Sequence, residues 1–136
     1  MKKVFIDANI ILDFLDSKRK NHESSKESLQ QITELGWEVV ITEDLLTTIY
    51  YIIKDKQRLL DFYSVIFEEW DILSFGTERL KEAVSICKTN SSQDFEDVIQ
   101  SLSARDSSCN LIISNDRNFH DCGITIITSA DFIKQV

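Results

Sequence analysis

The sequence predicts a three-layer α/β/α domain built on a parallel sheet of four or five strands. Short apolar runs such as residues 4–6 and 111–113 lack the alternation of a half-exposed strand, which is typical of strands buried in parallel sheets. Longer segments with apolar residues three and four positions apart separate these runs, and this alternation indicates a sheet covered by helices on both faces. The 136 residues contain no linker, repeat or low-complexity tract, so we expect residues 1–136 to form one domain.

The individual elements follow from continuous apolar residues, helical spacing and capping residues, taken in chain order. In the first half these patterns predict a strand over 3–7, a helix over 8–16, a solvated segment over 17–22, an amphipathic helix ended by Gly36, a strand over 37–41, a helix capped by Thr42 and a helix over 55–69. In the second half they predict a strand within 70–75, a helix over 77–88 capped by Thr77, a polar break over 89–93, a helix over 94–105, strands over 111–113 and 124–127, and a closing helix from Thr128.

Composition and charge narrow the functional classes. The chain carries 23 acidic and 15 basic residues, a net charge of −8, which argues against nucleic-acid binding through a broad basic surface. A site that meets phosphates through divalent cations is compatible with this charge, because bound cations reverse the local field. No apolar run suits a membrane span or a secretory signal, so we expect a cytoplasmic protein without membrane association. Cys87, Cys109 and Cys122 are widely spaced and are expected to be free thiols.

Acidic residues follow two of the predicted strands. Asp7 ends the first strand, and Asp116 comes shortly after Ser114, at the end of the strand over 111–113. In an open parallel sheet, ligands bind beyond the carboxyl ends of the strands, so both carboxylates are expected to face one crevice. A purely local role is open for each of them: Asp7 as the cap of the helix that starts at Ala8, and Asp116 as the first residue of a turn.

The helix predicted over 94–105 places further acids near this crevice. Its apolar face comprises Phe95, Val98, Ile99 and Leu102. Asp94, Asp97 and Ser101 form a stripe beside that face, whereas Glu96 is expected to point elsewhere. Because the helix dipole favours acids in the first turn, helix capping alone is an alternative role for Asp94 and, less readily, for Asp97.

The composition of this acidic set indicates which metal it suits. Aspartates from separate elements, without a Cys or His cluster, suit Mg²⁺ or Mn²⁺ and not zinc. Such a site can orient a water molecule, lower its pKa and stabilise the charge that develops on a phosphodiester. His22 and His120 lie outside this set and are expected at the surface.

Three segments together resemble the PIN-domain family, which includes the VapC-type toxins of bacterial toxin–antitoxin pairs. They are residues 4–13 (VFIDANIILD), 94–100 (DFEDVIQ) and 110–119 (NLIISNDRNF), and the resemblance runs through nearly the whole chain. It implies a ribonuclease that cleaves RNA with Mg²⁺ or Mn²⁺, in which Asp7, Asp97 and Asp116 are catalytic, metal-binding acids. It also implies that Asp94 is an additional acid and that Ser114 positions water or phosphate. A homodimer and, for a toxin, a cognate antitoxin are further implications.

The chain departs from the family pattern in the helix predicted after Thr42. The family usually has Glu or Asp about six residues after the small polar residue that ends the second strand, and Thr48 stands there in this chain. A threonine hydroxyl is a poorer metal ligand than a carboxylate. Asp44 lies one turn earlier on the same helical face and would partly replace the missing charge, whereas Glu43 points to roughly the opposite side.

Two alternative functions were compared with the ribonuclease. Thr48 and the net charge favour a PIN-like module with weak or no nuclease activity that serves to bind RNA or protein. A phosphoacceptor receiver domain has a similar fold, but Asp116 and Thr128 follow the late strands where such a domain needs a lysine.

Two surface features leave the substrate contacts open. The basic residues 18–20 either touch phosphates or form a solvated loop. The aromatic set either stacks on bases or forms core and dimer contacts, and it comprises Tyr50, Tyr51, Phe62 and Tyr63.

Overall fold

The computed structural model describes residues 2–135, which form five strands and seven helices. The first half contains β1 (Lys3–Ile6), α1 (Ala8–Leu15), α2 (His22–Leu35), β2 (Glu38–Thr42), α3 (Asp44–Ile52), α4 (Lys56–Glu69) and β3 (Asp71–Leu73). The second half contains α5 (Gly76–Thr89), α6 (Phe95–Asp106), β4 (Leu111–Ile113), β5 (Thr125–Ile127) and α7 (Ser129–Gln135). Most predicted bounds agree with these within one or two residues.

The five strands form one parallel sheet in the order β3-β2-β1-β4-β5. The chain builds outward from β1 to β3 on one side and then crosses β1 to add β4 and β5 on the other. The strand order therefore reverses beside β1, and the carboxyl ends of β1 and β4 form the crevice where α/β sheets bind ligands. The predicted three-layer α/β/α fold with a parallel sheet of four or five strands is confirmed.

The core is centred on the two middle strands. Val4, Phe5 and Ile6 of β1 are fully buried, as are Ile112 and Ile113 of β4. Because both faces of these strands are covered, the buried side chains in them are apolar, which explains the continuous runs in the sequence. On the helical layers, α1 and α7 pack on α2, and α5 packs on α6, which also contacts β2 and β4.

Two predicted helix caps are wrong. Thr42 is the last residue of β2, and the residue before α3 is Glu43, whose side chain makes no capping bond. Thr77 lies inside α5, which follows Phe75 without a side-chain cap. A capping residue normally has an extended backbone, but Glu43 and Phe75 already have helical backbone angles. Each helix therefore begins without a capping side chain.

The burial of α6 also differs from the prediction. Val98 and Leu102 are buried as expected, but Gln100 and Ser101 are buried too, and Phe95 is 42% exposed. α6 is covered by α5 on one side and by the sheet on the other, so its middle is buried on most of its circumference while its first residue lies at the edge. The assignment of Phe95 to the core was therefore wrong.

Among residues 2–135, no helix combines the length and the apolar character needed to cross a membrane.

Candidate metal centre

Asp7 lies at the carboxyl end of β1 and is 5% exposed. Its backbone N–H donates to the Ile113 carbonyl at 3.1 Å, and the Ser114 hydroxyl donates to its Oδ2 at 2.7 Å. Burial raises the pKa of Asp7 from 3.8 to about 6, against the lowering effect of the hydrogen bonds from Ser114 and the Ala8 N–H. Asp7 is the residue before α1, but its side chain makes no helix-capping hydrogen bond, so capping does not explain its burial.

Asp116 lies on the turn that follows β4 and is linked to Asp7 through Ser114. Ser114 is 2% exposed, and its Oγ accepts the Asp116 N–H at 3.1 Å while its hydroxyl donates to Asp7. The Asp116 carboxylate accepts the Asn118 N–H at 2.9 Å, so Asp116 does form a turn, as its alternative role predicted. Its negative charge nevertheless reaches Asp7, where it raises the pKa.

Asp94 and Asp97 lie at the start of α6 and have different environments. Asp94 is exposed and caps the helix, with its Oδ1 accepting the Asp97 N–H at 3.0 Å. Asp97 is partly buried, and its pKa is raised to about 7, first by burial and then by the charges of Asp7, Asp94 and Asp116. These four aspartates, the strand-end cluster, are therefore electrostatic neighbours. Capping, the alternative role of Asp94, applies to that residue and not to Asp97.

The donor chemistry of the strand-end cluster suits a hard divalent cation. Among residues 2–135, no three Asp, Glu, His or Cys side chains already converge closely enough to hold an ion. The charges that act on Asp97 are all negative, and they come from carboxylates on three separate elements. A cation between them would remove the repulsion that helps to keep the pKa values of Asp7 and Asp97 high. The residues therefore fit Mg²⁺ or Mn²⁺ in their oxygen chemistry, with side-chain movement needed to close the site.

A second acidic group connects α3 to α6. The Thr48 hydroxyl donates to Glu96 Oε2 at 3.2 Å, and Gln100 Nε2 donates to Asp44 Oδ2 at 3.0 Å. Burial, followed by the hydrogen bond and charge of Asp44, raises the pKa of Glu96 to about 7. Glu96 does point away from the strand-end cluster, but it points to α3 and not to solvent. Thr48 and Asp44 are thus connected to α6 through Glu96 and Gln100.

Glu43 lies outside both acidic groups, which agrees with its predicted position on roughly the opposite side of the helix. Its Oε2 accepts the Ser74 hydroxyl at 3.2 Å at the protein surface. The two histidines also bond elsewhere: His22 Nδ1 lies 2.8 Å from the Asp13 carbonyl, and His120 Nδ1 lies 2.8 Å from Gln93 Oε1. The three cysteines are free thiols, as predicted.

Asp13, which was not predicted from the sequence as a site residue, supports the turn that carries Asp116. Asp13 is 4% exposed and forms an ion pair with Arg19 at 2.8 Å. It also accepts the Asn115 side-chain amide at 3.3 Å, and Asn115 Oδ1 in turn accepts the Ser129 N–H at 3.0 Å. The signal for this residue in the sequence is an acid inside the apolar run of α1. Because burying an unpaired charge is costly, such an acid is expected to have a charged or hydrogen-bonding partner.

The predicted aromatic set divides into core and surface residues. Tyr63 is 7% exposed, with its hydroxyl bonded to the Leu46 carbonyl, and Phe62 packs against Trp70 with ring centroids 5.9 Å apart. Tyr50 and Tyr51 are exposed. In the basic loop, Arg19 is held by Asp13, whereas Lys18 and Lys20 are exposed.

Fold and site together define a class: a parallel α/β/α protein that collects aspartates at the carboxyl edge of its sheet, where a hard divalent cation fits. The family model described as PIN domain matches residues 4–124, and the chain belongs to this family. A relative from Aquifex aeolicus (strain VF5), Ribonuclease VapC1, is 29% identical over 137 residues, which covers 98% of this chain and 95% of the relative.

Solved structures share the fold at low sequence identity. The Mycobacterium tuberculosis protein VapC20, described as a Sarcin-Ricin loop cleaving toxin, has a TM-score of 0.74 at 11% identity, covering 90% of this chain and 96% of its own. A chain of VapBC2 from Rickettsia felis, bound to a DNA fragment from its promoter, has a TM-score of 0.69 at 12% identity, covering 91% and 96%. At these identities the similarity shows the fold.

Proposed function

We propose that the chain is a metal-dependent endoribonuclease that hydrolyses RNA phosphodiesters at the strand-end cluster. The observation that carries this proposal is the clustering of Asp7, Asp97 and Asp116, whose charges act on one another at the carboxyl edge of the sheet. The full-length similarity to a protein named as a ribonuclease supports the same activity. A buried carboxylate with a raised pKa in a crevice is a frequent sign of a functional site.

Each residue has a separate part in the proposed reaction. Asp7, Asp97 and Asp116 would hold Mg²⁺ or Mn²⁺, with Asp94 as an additional acid at the open side of the cluster. A bound ion would supply the lowered pKa of a water molecule and the neutralisation of charge on the phosphate. The Ser114 hydroxyl donates to one carboxylate oxygen of Asp7, Oδ2, and so fixes the orientation of that carboxylate. Hydrolysis by water forms no covalent enzyme intermediate.

RNA and an antitoxin protein are the partners that we propose. Structural neighbours include VapBC and FitAcB complexes and a chain described as part of a toxin–antitoxin complex, which supports an antitoxin for this chain. A groove of about 480 Å³ between α2 and α4 offers a surface for such a protein, with Phe14, Leu29 and Ile66 in its lining. The activity would then make the chain the toxin of the pair.

A homodimer is proposed on a separate aromatic surface. Tyr51 is 86% exposed and Phe67 57% exposed, and both line a shallow groove between α3 and α4. The side chains that line this groove are mostly apolar or aromatic, which is typical of interfaces between copies of one chain. None of the residues that line this groove belongs to the strand-end cluster.

The test combines metal binding with RNA cleavage. Mn²⁺ binding is measured by calorimetry for the native chain and for Asp7→Asn with Asp97→Asn, alongside cleavage of labelled RNA. Loss of binding and cleavage together in the double variant supports the proposal. Asp131→Asn is the matched control, because Asp131 is an exposed acid on α7 whose only ion pair is with Lys134 among the described residues. A native chain that binds Mn²⁺ but does not cut RNA would favour the alternative of a PIN-like module for RNA or protein binding.

A further inference from the structure

The contacts between α3 and α6 form a ladder of four polar side chains. Asp44 and Thr48 are one turn apart on α3, and Glu96 and Gln100 are one turn apart on α6, so each pair shares a helical face. One rung joins Thr48 to Glu96, and the other joins Gln100 to Asp44. The Asp44 and Glu96 carboxyl groups also contact each other. We call these four residues the α3–α6 ladder.

Two oxygens of the ladder are buried without a hydrogen-bond partner. They are Asp44 Oδ1 and Gln100 Oε1, and Gln100 as a whole is 1% exposed. Buried polar side chains in native proteins usually have partners. Turning the Gln100 amide does not remove the problem, because its oxygen would then face Asp44 Oδ2 and lose the present bond. Both unpartnered atoms are acceptors, so the missing group is a donor or a cation.

The charge of the ladder favours a cation. Asp44 and Glu96 are both acids, and the ion pairs formed among residues 2–135 include neither of them. The available donors are two carboxylates, an amide oxygen and a hydroxyl. An all-oxygen set of this kind suits a hard divalent ion, for which an unpartnered oxygen is an available ligand.

We propose that the α3–α6 ladder is a second site for a hard divalent cation, Mg²⁺ or Mn²⁺, with Asp44, Glu96 and the Gln100 side-chain oxygen as ligands. Glu96 is bonded to α3 and lies outside the strand-end cluster, but the charge of Asp94 acts on it, so an ion held by Glu96 adds positive charge near the acids at the start of α6. Thr48 orients Glu96 through its hydroxyl. This site is separate in its ligands from the one under the proposed function and stands or falls independently of it.

The test counts Mn²⁺ ions per chain by electron paramagnetic resonance titration, with no RNA present. The native chain is expected to bind two ions. Glu96→Gln and Gln100→Met are each expected to weaken one of them by about 10-fold or more, which is the size of effect that even an outer-shell partner has on metal affinity. Asp131→Asn serves as the control for loss of one acid. Circular dichroism and thermal unfolding in chelator show that each variant is folded.

The outcomes separate the two sites. Asp7→Asn is expected to remove one ion and leave the ion that depends on Glu96. If Asp7→Asn removes no ion but Glu96→Gln does, the ladder site stands and the strand-end site fails. A native chain that binds a single ion, unaffected by Glu96→Gln and Gln100→Met, overturns the ladder site. In that case the two acids share a proton, or an ordered water satisfies the buried oxygens.

Discussion

Replacing Asp7 with asparagine is expected to stabilise the protein at neutral pH when no metal is bound. The pKa of Asp7 rises from 3.8 to about 6 on folding, so the folded state binds its proton more tightly than the unfolded state. Ionisation of Asp7 therefore does not lower the free energy of unfolding below about pH 4. It lowers this free energy progressively as the pH rises, and the loss is complete above about pH 6. A shift of about two units corresponds to roughly 3 kcal/mol.

Asparagine removes this cost and keeps an oxygen that accepts the Ser114 hydroxyl. For a chain of this size, 3 kcal/mol corresponds to an increase in Tm of roughly 6 to 12 °C. Thermal and urea unfolding of both proteins are measured in chelator at about pH 8 and again at about pH 4, where the difference is expected to vanish. Asp131→Asn, which removes an exposed acid, is the control. The reasoning is refuted if Asp7→Asn is less stable than the native chain at about pH 8. It is also refuted if the difference in Tm between the two proteins is the same at both pH values.

Three further predictions concern Ser114, Asp13 and the surface aromatics. Ser114→Ala removes the hydrogen bond that lowers the pKa of Asp7, so more of the Asp7 carboxyl groups are protonated near pH 6. Mn²⁺ affinity is therefore expected to fall near pH 6 and to change less at about pH 8, and calorimetric titration at both pH values checks this. Asp13→Ala leaves Arg19 and Asn115 without their carboxylate partner and is expected to lower the free energy of unfolding by about 3 kcal/mol. Urea unfolding measures this change, and an unchanged urea midpoint would contradict it. Phe67→Glu places a charge in the groove between α3 and α4 and is expected to convert a dimer to a monomer, which light scattering measures. Glu78→Lys, on the exposed face of α5, is the control for a change of charge.

The strand-end acids were predictable from the sequence because their positions depend on few long-range contacts. Once the strands at 4–6 and 111–113 are recognised as parallel neighbours, Asp7 and Ser114 must lie at the same edge of the sheet. The register pairs Ile6 with Ile113, which puts these two residues side by side. Helical periodicity predicted that Asp97 lies on a stripe beside the apolar face of its helix, and the resemblance to the PIN-domain family implied that Asp97 is one of the metal-binding acids.

The ladder was not predictable in the same way. Whether Glu96 faces solvent or another helix depends on how α6 packs against α3, and helical spacing within one segment carries no information on this. The same limit explains the exposure of Phe95. Helical spacing assigns Phe95 to the apolar face of α6, but the first residue of a helix is exposed when no neighbouring element covers that end. Thr42 shows a local limit: the chain turns into α3 through Glu43, and Thr42 stays in β2.

Asp7 and Asp13 are both buried acids, and their opposite effects on stability distinguish a functional carboxylate from a structural one. Asp13 has Arg19, the Ser25 hydroxyl and the Asn115 side-chain amide around it, so its charge is compensated within the chain. Asp7 has one hydroxyl and one backbone amide, and its neighbouring charges are negative, so its compensation must come from outside the chain. A cation that binds only the folded state stabilises it by linkage, and this gain requires the same carboxylate that costs stability in its absence. The stability that Asp7→Asn gains in chelator is therefore expected to be accompanied by loss of the stabilisation that Mn²⁺ gives the native chain, whereas Asp13→Ala is expected to be less stable with and without the ion.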